Sequence, residues 1–287
     1  MLGAMQTEGE PSDRSVRVTV GALRDALGSI GNLHQLLRSR SVGPKALGNV
    51  LPDVISGAEP LLTQAQHFKS APHSPFADIL GQLNNVLVTE LGEFSNSLRP
   101  LSKRSLSAAT RLKAEQVAAR ATRQLGSLLA LLELVAEAQT AYQTRAEHTA
   151  RGTHEGIGQV DCVEALSQSR SGDQTPGPGS VQVPVLLNVT SAPKPIALTP
   201  RGALSLASVI ASLLAQRNQT LRFTFDAAAE RSRMKVENAA ESANEVSGQI
   251  LLWVPPLLDV TRACLHAVTG ALALKLSIEP TSVNLEW

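Results

Sequence analysis

Ala118, Ala121, Leu125, Leu128, Leu132 and Val135 step along the chain by alternating threes and fours, with no proline among them. A stripe of that period lies along one side of an α-helix and has to be buried against something else. Three earlier stretches make the same demand. Leu23, Leu27, Ile30 and Leu37 predict a first helix from about Val18 to Arg40, and Ser41-Val42-Gly43-Pro44 breaks the pattern. Ala46 to Phe68 predicts a second, which Pro52 and Pro60 should kink or divide into two short helices. Leu80, Leu83, Leu87, Leu91, Phe94 and Leu98 mark a third, spaced as a coiled-coil seam and ending near Arg99-Pro100. Four such segments on short connections predict a four-helix bundle of two hairpins over 16–150, behind a polar tail at 1–15 expected to be disordered.

The pattern changes after Arg151. Val181 to Val189 reads as a strand, and Thr220 to Phe225 shows the period-two alternation of another. Ser232 to Val236, Gln249 to Val254, Ala271 to Ile278 and Val283 to Trp287 are further candidates. Helical stretches at Gly202 to Gln216 and Leu257 to Val268 fall between them, so 156–287 predicts an α/β sandwich with one face of the sheet covered by helices. The chain as a whole is therefore expected to be α+β. Ser171 to Gly179 consists of turn-forming residues and predicts a loop.

Lys and Arg number 26 against 25 Asp and Glu, so no bulk basic field recruits nucleic acid or an anionic membrane. Aromatic residues are 3% of the chain, which leaves few platforms for stacking bases. Nucleic-acid and membrane partners are not expected. Met1 to Arg14 lacks the apolar core of a signal peptide, and no later run reaches the roughly 18 apolar residues of a membrane span. Cys162 and Cys264 lie far apart among apolar neighbours and read as buried thiols of a reducing compartment, so a cytoplasmic location is expected.

Catalytic signals are sparse. P-loop, GxGxxG, GxSxG and HExxH motifs are absent from the sequence, and its six histidines show no metal-ligand spacing. Neither a metal nor a cofactor is expected. His34 follows Leu27 by seven residues and Ile30 by four, which continues the first seam; if exposed, it is the best candidate for relaying phosphate. Glu133 and Glu137 share one helix face, and two acids at that spacing read as a solvated surface. Arg111, Arg120 and Arg123 read the same way, with docking of an acidic partner surface as the alternative.

Gly21-Ala22-Leu23-Arg24-Asp25-Ala26-Leu27 and Gly81-Gln82-Leu83-Asn84-Asn85-Val86-Leu87 lie sixty residues apart. Each resembles the phosphoacceptor helix of the sensor histidine kinases, with glycine where that family has its histidine. The order of parts from Pro75 to Trp287 is similar to a histidine kinase hairpin followed by its ATP-binding domain. Ala114 to Gln139 resembles the second hairpin helix, and Ile157 to Leu166 resembles the connection. Leu204 to Arg217 resembles the helix of the asparagine-rich box, and Leu258 to Leu276 the last helix with its glycine turn.

The resemblance implies that Gln216 takes the place of the magnesium-binding asparagine. It implies that Glu237 takes the place of the acid that meets the adenine amino group, but Asn238-Ala239-Ala240-Glu241 follows without the family's glycines. Pro255-Pro256-Leu257-Leu258 stands where a glycine-rich lid would cradle phosphate, and proline offers no N–H for that. A pseudokinase of two-component signalling is therefore expected, not an enzyme. It would act as an adaptor or regulator whose bundle binds a response-regulator receiver domain or an authentic histidine kinase. Asn84, Asn85, Arg111, Arg120 and Arg123 are the docking candidates. A histidine phosphotransferase relay that does not use ATP is the alternative, and a structural dimer module is another. The two hairpins are expected either to form one bundle within the chain or to build a homodimer interface.

Overall fold

In a computed structural model, residues 11–39, 43–67, 74–102, 107–151, 160–168, 179–215, 219–228, 231–239 and 249–287 are described. Four long helices come first: α1 (Pro11–Arg38), α2 (Pro44–Gln66), α3 (Ala77–Ser102) and α4 (Ala108–Arg151). α1 starts inside the stretch expected as a disordered tail, and residues 1–10 lie outside the described ones. α1 packs on α2 and α4, and α3 packs on the same two, so the helices form a ring within a single chain. Leu23, Leu27, Leu87, Leu91, Leu125 and Leu128 fill its centre and are fully buried. These are the residues of the predicted stripes, and their burial holds the bundle together.

α2 corrects one expectation. It runs unbroken through both Pro52 and Pro60. Both prolines sit on the exposed side, and Gly48 and Ser56, whose carbonyls they leave without a helical donor, are not buried. Leu47, Leu51, Ile55, Ala58, Leu61 and Ala65 pin the opposite side to the core, which outweighs two lost hydrogen bonds at a wet surface. α3 likewise passes Arg99-Pro100 and ends at Ser102.

The second half comprises α5 (Cys162–Gln168), β1 (Val181–Val189), α6 (Pro200–Ser212), β2 (Leu221–Ala227), β3 (Ser232–Asn238), β4 (Gln249–Val254), α7 (Thr261–Ala271), β5 (Lys275–Ile278) and β6 (Ser282–Glu286). The six strands form one mixed sheet in the order β4-β1-β2-β3-β6-β5. β1 and β2 are parallel, with Leu187 opposite Phe223, and α6 supplies the crossover that a parallel pair requires. The other neighbouring pairs are antiparallel. Val183, Val185, Phe223, Phe225, Val236 and Leu252 belong to one core with Leu206 and Ile210 of α6 and Leu265 and Val268 of α7. The other face of the sheet carries residues such as Thr224, Lys235 and Glu237, none of them buried. The fold is α+β, a helical bundle followed by a sheet with helices on one face.

The strand predicted from Ala271 begins four residues later. Gly270 and Ala271 still belong to α7, and the turn is made by Ala273 at φ 57. The Ala273 N–H donates to the Gly270 carbonyl at 3.1 Å and the Leu274 N–H to the Thr269 carbonyl at 2.8 Å. That pair of bonds is a Schellman closure with alanine in the left-handed seat that glycine usually fills. The glycine turn implied by the resemblance at Gly270 is therefore helix.

Both cysteines are free and buried. Burial, with the Asp161 carboxylate adding to it, pushes the Cys162 thiol up to about 12, and burial alone pushes Cys264 to about 12. Such thiols carry almost no thiolate near neutrality. Native protein at pH 8 should react only slowly with a chromogenic disulfide, and both thiols should react at once in denaturant. Rapid native labelling of either would contradict this burial. Because the folded pKa lies above the ordinary value of 9.0, the associated stability is complete below pH 9 and is lost as pH rises toward 12. Among the described residues no helix is long and apolar enough to cross a membrane.

Candidate functional site

The two glycines at the resembling positions lie on α1 and α3. Gly21 follows Arg17 by four residues and precedes Arg24 by three, so all three share one face of α1. A β-carbon added at Gly21 or at Gly81 would meet no atom within 4 Å. Packing does not forbid a side chain at either place.

That face of α1 looks onto a charged junction. α4 lies between α1 and α6, and Glu133 and Glu137 project from it one turn apart. Arg24 of α1 donates to Glu133 Oε1. Arg201, in the first turn of α6, donates to the same oxygen at 3.0 Å. Thr199 caps α6 by accepting the Gly202 N–H at 3.0 Å, and its hydroxyl donates to Glu137 Oε2 at 2.5 Å. Arg17 donates to Thr140 Oγ1 at 2.7 Å. Between these groups is a half-open cavity of about 160 Å³ whose floor includes Val20 and Ala136.

Glu133 and Glu137 are therefore not the solvated surface that their spacing suggested. They are half-buried and tie the bundle to the sheet domain. The sequence carried no signal of this: the buried Leu128, Leu129, Leu131, Leu132, Leu134 and Val135 leave open the sector of α4 that Glu133 and Glu137 occupy, and only the packing of α1 and α6 supplies partners there.

The docking candidates separate. Arg111 Nε donates to the Leu37 carbonyl at 2.7 Å, and Nη2 reaches the carbonyls of Leu36, at 3.3 Å, and of Ser39. It caps the C-terminal end of α1 and is committed within the molecule, which corrects its assignment to a docking face. Asn84 is also committed: its amide donates to the Ala65 carbonyl at 2.8 Å and closes the last turn of α2. Asn85 is exposed on α3. Arg120 is exposed and bridges Glu93 at 2.8 Å and Glu90 at 3.5 Å. Arg123 is exposed, but its backbone supports the approach to β1. Gly179 has φ 83, and a β-carbon there would lie 2.9 Å from Arg123 Cα. Only glycine fits that approach.

His34 is half-buried at the edge of the bundle, and Leu33 beside it takes the core position that the seam had assigned to the histidine. Glu237 lies on β3 on the face turned away from α6 and α7, and its carboxylate pairs with Lys235 Nζ at 2.5 Å. It does not border the space between sheet and helices, so its implied place in a nucleotide pocket is corrected. Gln216 lies outside the described residues. Between β4 and α7, Pro255 and Leu258 are buried, and the Leu258 N–H donates to Thr261 Oγ1 at 3.1 Å. Among the described residues no group of three or more His, Cys, Asp or Glu is placed to hold a metal.

No protein-family model matches the chain, and no curated protein is similar to it in sequence. Among solved structures it is similar to the Acinetobacter baumannii histidine kinase AdeS. The identity is 14% and the TM-score 0.27, over 72% of this chain and 94% of that one. At so low a TM-score the likeness says nothing about the site.

Chemically, the junction is a set of charges held in place. Its cations are guanidiniums, and its anions are held by hydrogen bonds from Arg24, Arg201 and Thr199. Such groups bind and orient.

Proposed function

We propose that this protein is a non-catalytic signalling adaptor or regulator of histidine-kinase-like design. It is cytoplasmic and binds a receiver domain or an authentic kinase hairpin through its helical bundle. The observation that carries this reading is the pair of glycines, Gly21 and Gly81, at both resembling phosphoacceptor positions, each with open space beside it. Loss of the histidine in both hairpins removes phosphoryl acceptance there and leaves the helical surface around it. Glu237, turned away from the helices, supports the absence of ATP chemistry. Asn85 and Arg123 are the exposed candidates that remain for contact, with Arg120 drawn partly into its own ion pairs. The mechanism is occupancy of a partner's docking face, and no bond is made or broken.

The test is calorimetric titration of the protein with a panel of receiver domains, with and without beryllofluoride and magnesium, and with kinase hairpins. Micromolar binding to at least one is expected, weakened about tenfold or more by Arg123→Glu through charge repulsion. Saturable ATP binding would overturn the non-catalytic reading. Phosphoryl transfer from a phosphorylated receiver that is lost in His34→Gln would replace it with the relay.

A further inference from the structure

We propose that the free edge of β4 is an interface between two copies of this chain, paired antiparallel, strand against strand. The inference is independent of the adaptor reading, which concerns the bundle. Its first ground is backbone chemistry. β4 is the end strand of the sheet and is laddered on one side only, to β1. Among the described residues no backbone group outside β1 bonds to Gln249 through Val254. Every second residue of an edge strand turns an N–H and a C=O outward, a template for another strand.

The second ground is the contrast between the two ends of the sheet. β5, at the other end, is four residues long. It carries Lys275, which is 75% exposed, and Glu279-Pro280 follows it at once. A short edge with a lysine on it and a proline beside it turns another strand away. β4 has none of these devices: Gln249-Ile250-Leu251-Leu252-Trp253-Val254 contains no charge and no proline. Leu251 is 49% exposed on the open face of the sheet, with Pro184 of β1 opposite it. Farther along the same face stand Arg222, Lys235 and Glu237.

The third ground is register, and it names the occupant. Directly opposite residues of an antiparallel pair share one face of the joined sheet. In a two-fold pairing centred on Leu252, Leu251 of each copy lies opposite Trp253 of the other on the open face. Ile250 lies opposite Val254 on the face that the helices cover, where both are already core residues. From 250 to 254 every position then meets an apolar one, and both copies keep their helices on the same side. A charged peptide finds no ion pair along β4, whereas an uncharged strand matches it throughout, and each copy of the chain supplies one. Because β5 is blunted, pairing consumes the single open edge of each chain and the assembly closes at two. Six residues a side fall short of the roughly 20–30 of a standard interface, so the dimer is transient.

The experiment is sedimentation velocity of the full chain over a series from low to high micromolar concentration. A reversible shift from monomer to dimer is expected, with no larger species. Leu251→Lys and Leu251→Glu should each weaken self-association about tenfold or more, by like charge across the two-fold, and their equimolar mixture should regain it. Leu112→Lys, at a similarly exposed leucine of α4, should leave it unchanged. A monomer at every concentration would overturn the proposal, as would a dimer that Leu251→Lys leaves unmoved, one that Leu112→Lys weakens equally, or assembly that continues past two. Should circular dichroism show that the Leu251 variants do not fold, hydrogen exchange of the unaltered chain decides. Amides of β4 should exchange several-fold more slowly at high than at low protein concentration while those of β5 do not change, and equal rates in β4 would rule the pairing out.

Discussion

Replacing Phe223 by alanine should cost about 3–5 kcal/mol of folding stability, the range for removing a large aromatic ring from a core. The ring is fully buried on β2. Collapse around the space it leaves is resisted on both sides, because β2 is laddered to β1 at Leu187 and to β3 at Val236. Helices α6 and α7 close the same core from above. The loss should appear as a lowered urea midpoint with an unchanged slope. A cost below about 1 kcal/mol would mean that the inner face of the sheet is not packed as described, since even smaller aliphatic truncations in cores usually exceed it. Thr224→Ala, next along the strand but on the open face, is the control and should cost much less.

Arg111→Ala should lower stability by about 1.5–3 kcal/mol, the range for hydrogen bonds that involve a charged group. Its guanidinium serves three carbonyls at the end of α1, those of Leu36, Leu37 and Ser39. Truncation returns those carbonyls to solvent and removes a link from α4 that closes that helix end. Arg111→Lys should recover only part of the loss, because an ammonium cannot span carbonyls that a planar fork reaches together. The measurement is again a urea midpoint, taken beside partner titrations. A variant that weakened partner binding while leaving the midpoint unmoved would restore Arg111 to the docking surface.

The bundle was legible in the sequence because a period of three and four has one physical cause, a helix with a face to bury. The stripes at Leu23, Leu83 and Leu125 all became core. Alternation revealed β2 for the same reason. What the sequence misled on depends on where a residue's environment comes from. Pro52 and Pro60 are breakers by local rule, and only their place on the wet side of α2 makes them tolerable. The junction was hidden more deeply. Arg24, Glu133 and Arg201 lie 109 and 68 residues apart along the chain, and no periodicity links an α1 residue to the first turn of α6. Glu237 and Arg111 failed similarly: their types fitted a role, but the strand face and the nearby helix end decided what they touch.

The ring of four helices is closed within one chain, and this alters what the bundle can be as an object. A bundle assembled from two identical hairpins dissolves on dilution and carries every surface feature twice. Here each feature occurs once. The side bounded by α1 and α4 is taken by α6, whereas the opposite side, between α2 and α3, is not. Tethering has thus made the two halves individuals: one side holds the chain's own second domain, and the other is under no obligation to resemble it.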